Sequence, residues 1–129
     1  MFTKWCRAFP GVPQEVAGAR HFVAAILDGW GGVDDAVLVV GELAANAVRH
    51  SRSGALGGWF MVSVDFGGDV VRIEVADQGG DDMPRLHNAM SQAEGGRGLL
   101  LVAAYAQAWG TRQAEKGCAV WADVARVDV

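Results

Sequence analysis

Cysteine, basic charge and long apolar runs are all scarce in this sequence. The two cysteines, Cys6 and Cys118, stand far apart without an accompanying histidine pattern. That excludes a disulfide framework and a zinc site, and predicts that both thiols stay reduced and structural. Lys and Arg number 11 against 15 Asp and Glu, for a net charge of −4 and a pI near 5.2. A nucleic-acid partner needs clustered cations to meet its phosphates, so direct nucleic-acid binding is not expected. Residues Met1 to Arg7 lack the continuous apolar stretch of a signal peptide, and no later run free of charge and glycine is long enough to span a bilayer. The expectation is a cytoplasmic protein without membrane association. Repeats and linkers are lacking too, and 129 residues that are 51% hydrophobic suffice for one domain over 1–129 with a real core.

Glycine, by contrast, is abundant: 18 in 129 residues, about twice the usual ~7% share. Gly31-Gly32, Gly57-Gly58 and Gly67-Gly68 read as turns. Gly79-Gly80 and Gly95-Gly96-Arg97-Gly98 flank a segment with no clear periodicity and invite a functional reading. Around these breaks the pattern predicts a short strand over 2–9 and a helix over 13–29. The helix has Pro13 in its first turn and a stripe of Val16, Arg20, Val23, Leu27 and Trp30. A second, mostly apolar helix opens at Asp34 or Asp35 and carries Val37 to His50. Period-two alternation over Trp59–Phe66, a Gly-Gly turn and a second run to Asp77 make a hairpin. Residues 78–95 read as a loop or lid with a short helical piece around Leu86–Gln92. A third helix is expected from Leu99 to Trp109, then a hairpin of Thr111–Ala114 and Cys118–Val127. The order β-α-α-β-β-lid-α-β-β lacks the alternation of a doubly wound sheet and predicts an α+β, two-layer sandwich.

Three constellations can carry chemistry. Glu42, Asn46 and His50 fall at i, i+4 and i+8, one line along an otherwise apolar helix, with Arg49 beside it. A buried carboxylate needs a partner, and this line offers a metal ligand and a base; the bland reading is a narrow solvated stripe. Asp77 ends the apolar face of Val71, Ile73 and Val75, and Gly79 follows where a flat ligand could approach the backbone. Here the bland reading is a strand-terminating turn. Gly95-Gly96-Arg97-Gly98-Leu99 opens the third helix, where unpaired N–H groups and the dipole suit an anion such as phosphate. It is neither a Walker loop nor a dinucleotide fingerprint, and the alternative is a tight connection.

Taken in order, Glu42-x-x-x-Asn46-x-x-x-His50, Asp77-x-Gly79 and Gly96-x-Gly98 resemble the N, G1 and G2 boxes of the GHKL ATPase superfamily, the Bergerat fold of histidine kinases, gyrase and Hsp90. Glu42 to Ser51 and Gly96 to Val102 look most like the stand-alone anti-sigma-factor-like serine/threonine kinases of actinobacteria. The resemblance implies a Bergerat ATP-binding fold with a mixed sheet, three main helices and an ATP lid. It implies ATP and Mg²⁺ as cofactors. Asn46 would be the metal ligand, and Glu42 would orient or deprotonate the attacking hydroxyl. Asp77 would accept the adenine amino hydrogen with help from Gly79. Gly96, Arg97, Gly98 and Leu99 would sit at the phosphates, with His50 or Arg49 in reach of one. The partners it implies are a sigma factor and a STAS-type anti-anti-sigma protein, and a homodimer is compatible with it.

The chain departs from the family pattern at two places. Gly80-Asp81-Asp82 puts two extra acids near the nucleotide, with Pro84 shortening any lid helix. The threonine that the family often carries in its last hairpin, supporting the adenine contact through water, corresponds by position to Ala119. Besides the kinase, two other readings stand: a non-catalytic module in which ATP creates a protein-binding surface, and a histidine-kinase catalytic domain. The last is discounted because His21, in the first helix, has no acceptor motif around it.

Overall fold

The computed structural model describes residues 3–79, 100–114 and 117–127. Five strands and two long helices follow in the order β1 (Thr3–Pro10), α1 (Gln14–Ile26), α2 (Val33–His50), β2 (Trp59–Phe66), β3 (Val70–Ala76), β4 (Ala108–Ala114) and β5 (Gly117–Ala125), with a 3-10 turn at Arg52–Gly54. Residues 100–105 are also helical. The strands form one sheet in the order β1-β2-β3-β5-β4, and both long helices cover one face of it, so the expected α+β two-layer sandwich is found.

Period-two alternation builds that interface. Phe60, Val62 and Val64 of β2, Val71, Ile73 and Val75 of β3, and Val120, Ala122 and Val124 of β5 are all buried. Cross-strand register aligns them: Val62 faces Val75, and Val75 faces Val120. On β1, Phe9 lies opposite Phe60, stacked at 5.5 Å between centroids, with Phe22 of α1 edge-on at 5.7 Å. Fully burying one such ring contributes about 2–3 kcal/mol. The opposite face is polar: Arg72 donates to Asp123 at 2.7 and 2.9 Å and lies 4.2 Å over the Trp121 ring, while Arg112 pairs with Glu74.

α2 packs over β3 and flanks β2 and β5 through Ala36, Val39, Val40, Gly41, Leu43, Ala44 and Ala47, small enough toward its middle to bring the layers close. Asp34 and Asp35 occupy its first turn and Arg49 and His50 its last, both favourable to the helix dipole. The helix opens at Val33 with Gly32 as its cap, a residue or two ahead of the expected start.

Several sequence expectations are corrected. All strand pairs are antiparallel, where a mixed sheet was implied. Two helices separate β1 from β2, so the chain re-enters the sheet reversed; β4, which runs in the direction of β3, is held away from it by β5. α1 stops at Ile26, before residue 29, because Leu27 leaves the helical region and Gly29 takes a φ of 80°. The third helix does not reach Trp109. Its described part ends at residue 105, and Ala108 and Trp109 pair with Asp123 and Ala122 instead, since a strand partner outweighs local periodicity. Both cysteines are free, but Cys6 is exposed and only Cys118 is structural. The lid from residue 80 onward, with its helical piece around Leu86–Gln92, lies outside the described residues.

Candidate nucleotide site

The C-terminal end of α2 and the C-terminal end of β3 lie at the same end of the sandwich, joined through the 3-10 turn. Ser51 Oγ donates to the Ala47 carbonyl at 2.6 Å and accepts the Ser53 N–H at 3.0 Å. Ser53 is the one polar residue in the buried class among the described residues, and its Oγ accepts the Gln78 N–H at 3.0 Å. Gln78 Oε1 in turn accepts the Trp59 N–H at 2.8 Å. The turn that follows β3 is therefore tied to α2 on one side and to β2 on another.

Asp77 continues the helix-facing row of Val71, Ile73 and Val75. Its N–H donates to the Cys118 carbonyl at 2.8 Å, and its Oδ1 accepts the N–H groups of Gly79 at 2.7 Å and Cys118 at 3.3 Å. Gly79 is buried with φ +75°, a conformation L side chains disfavour. Two backbone N–H groups thus orient the carboxylate within a strand-terminating turn.

Residue 117 completes the enclosure. A Cβ on Gly117 would lie 2.2 Å from the Asp77 carbonyl oxygen and 2.5 Å from the Gly79 nitrogen, so the start of β5 lies directly against the turn. The residue beside Asp77 is Cys118, not Ala119. Pairing of Ala119 with Ala76 and Arg112 puts it on the opposite sheet face. The Cys118 thiol is pushed above its ordinary pKa, first by burial and then by the Asp77 charge, and stays protonated.

Along α2, Glu42, Asn46 and His50 are all half-buried at the border of the sheet-facing side, and Arg49 is exposed. Asn46 directly precedes the residue whose carbonyl Ser51 binds. Gly96, Arg97, Gly98 and Leu99 lie outside the described residues. His21 is exposed on α1. Among the described residues no three His, Cys, Asp or Glu gather to hold a metal, and no helix is long and apolar enough to cross a membrane. A Mg²⁺ shared with a nucleotide needs only one or two protein oxygens, the rest coming from phosphates and water, and the Asn46 amide fits that donor set.

The family model for the histidine kinase-like ATPase domain matches residues 9–123. The chain belongs to this family. No curated protein matches it at a significant level. Membership makes the two-layer sandwich an ATP-binding fold with a regulatory role. Within this ATPase domain Asp77 and Gly79 share one turn, held by Ser51, Ser53 and Gly117, none of them a site candidate from the sequence. For Gly117 the signal was available, since a glycine directly before a buried strand row marks a close approach as well as a turn.

Proposed function

We propose that the protein is an anti-sigma-factor-like serine/threonine kinase that acts in the cytoplasm, binds a sigma factor and transfers the γ-phosphoryl group of Mg-ATP to a serine of a STAS-type anti-anti-sigma partner. The observation that carries the reading is the convergence of the α2 polar line and the Asp77 turn at one end of a histidine kinase-like ATPase domain. Asp77 accepts the adenine amino hydrogen, and the backbone at Gly79 lets the base lie close. Asn46 supplies the amide oxygen for the metal, which neutralises phosphate charge when bound. Gly96, Arg97, Gly98 and Leu99 would bind the phosphates, with His50 as a further contact. Glu42, one turn before Asn46, orients the partner's hydroxyl and takes its proton. Positioning and charge neutralisation are the main demands of such a transfer.

Incubating the protein with labelled Mg-ATP and the small anti-anti-sigma candidates of the same genome tests this. Label should reach a partner serine, and Glu42→Gln should bind ATP normally while losing about 10²–10⁴ in transfer rate. Equal transfer by Glu42→Gln removes the base assignment. If the wild type labels no candidate while ATP still controls complex formation, the protein is a non-catalytic ATP-gated binding module.

A further inference from the structure

The geometry points to Ser53 as a positioning residue for base recognition, locking the Asp77 turn in register with the helix that carries Asn46. The inference rests on the proposal that Asp77 reads adenine. Between the Ala47 carbonyl and the Asp77–Gly79 turn runs an unbroken chain of hydrogen bonds: Ala47 O to Ser51 Oγ at 2.6 Å, Ser51 Oγ to Ser53 N at 3.0 Å, then Ser53 Oγ to Gln78 N at 3.0 Å. Every link joins a backbone group to a short side chain, so little slack exists.

Three features set this apart from an ordinary loop contact. Ser53 is 0% exposed, so bulk solvent does not compete with its Oγ as acceptor for Gln78. The Gln78 amide lies between the two residues that bear on the base, so its displacement rotates the Asp77 carboxylate and the Gly79 backbone together. Ser53 itself is backed by the bend that follows β1, since a Cβ on Gly11 would lie 1.6 Å from the Ser53 carbonyl oxygen. A wall that cannot retreat and a turn that hangs from it make Ser53 the fixed point between metal side and base side of the site. Base selection depends on the angle of one carboxylate, because an acceptor facing a guanine carbonyl is unmatched whereas one facing the adenine amino group is satisfied.

Calorimetric titration of ATP and GTP in Mg²⁺ into the full-length protein and its Ser53→Ala, Asp77→Asn and double variants separates this from simple destabilisation. In Ser53→Ala the ATP-over-GTP preference should fall about tenfold, the effect of one buried hydrogen bond. In the Asp77→Asn background the same substitution should leave the preference unchanged, because both act through one carboxylate. Ser53→Cys, which keeps a weaker acceptor in similar space, should fall between the two and serves where the alanine variant does not fold. Equal loss of ATP and GTP affinity, or equal drops in both backgrounds, overturns the positioning role while leaving Asp77 in place. An Asp77→Asn protein with wild-type base preference overturns the adenine assignment, and this inference with it.

Discussion

Gly117→Ala should damage the nucleotide site although residue 117 needs touch no nucleotide. The new methyl would lie 2.2 Å from the Asp77 carbonyl oxygen, 2.5 Å from the Gly79 nitrogen and 2.6 Å from the Gln78 carbonyl carbon. All three are backbone atoms, so no rotamer change relieves the overlap. Either β5 or the turn must move by about 1 Å to restore ordinary contact distances, and overpacking of this kind costs about 1–3 kcal/mol. For a chain of this size each kcal/mol lowers Tm by roughly 3 °C, so thermal unfolding should shift by about 3–9 °C in step with that cost. Moving the turn also breaks the paired bonds between Asp77 and Cys118, so ATP affinity should fall as well. Gly57→Ala is the control. Its φ is +77° with nothing within 4 Å of a Cβ, so it should cost about 1 kcal/mol in backbone strain and leave ATP binding unchanged. A Gly117→Ala protein with wild-type Tm and ATP affinity refutes the enclosure argument, as does a Gly57→Ala protein that loses binding equally.

Asn46→Ala should abolish the Mg²⁺-dependent part of nucleotide binding, leaving ATP affinity the same with and without EDTA in calorimetry; a variant that still responds to the metal places its ligand elsewhere. Thiol titration of the folded protein should label Cys6 quickly and Cys118 only on unfolding, and two equally fast equivalents would contradict the burial of Cys118. A thiol whose folded pKa is raised holds its proton where the unfolded chain loses it, so stability should decline as pH rises above about 8.5. Cys118→Ala should lack that decline, and parallel pH–stability curves would remove the cause assigned to the shift.

The sequence made α2 and the β2–β3 hairpin legible because each carries a clean period: apolar residues at helical spacing from Ala36 to Ala47, and strict alternation from Phe60 to Val64 and Val71 to Val75. Asp77 was legible for the same reason, as the polar residue that ends an apolar row. Counting the same period along β5 places Cys118 with Val120 and Val124, and Ala119 on the other face, so the error at residue 119 came from matching a motif instead of extending an alternation. Trp109 followed the helical rhythm of its neighbours and was claimed by a strand partner that only the folded sheet supplies. Ser53 left no local trace at all. A serine before a glycine reads as loop, and its burial depends on Gly11 and Gln78, each far away along the chain.

The sheet register also bears on how the protein assembles. β2–β3 and β4–β5 pair strands that are neighbours along the chain, whereas the β3–β5 seam unites segments from distant parts of it. Local hairpins form early and distant joints late, because loop closure must precede the contacts that reward it. The Asp77 turn lies on that late seam, against Gly117 and Cys118. If Asp77 reads the base as proposed, a chain with this seam still open would have no base site, and nucleotide should bind only the completed sheet. By mass action, ATP at a hundred times its Kd would add about 2.7 kcal/mol to the stability of the joined form, making the ligand a fastener for the last joint to close.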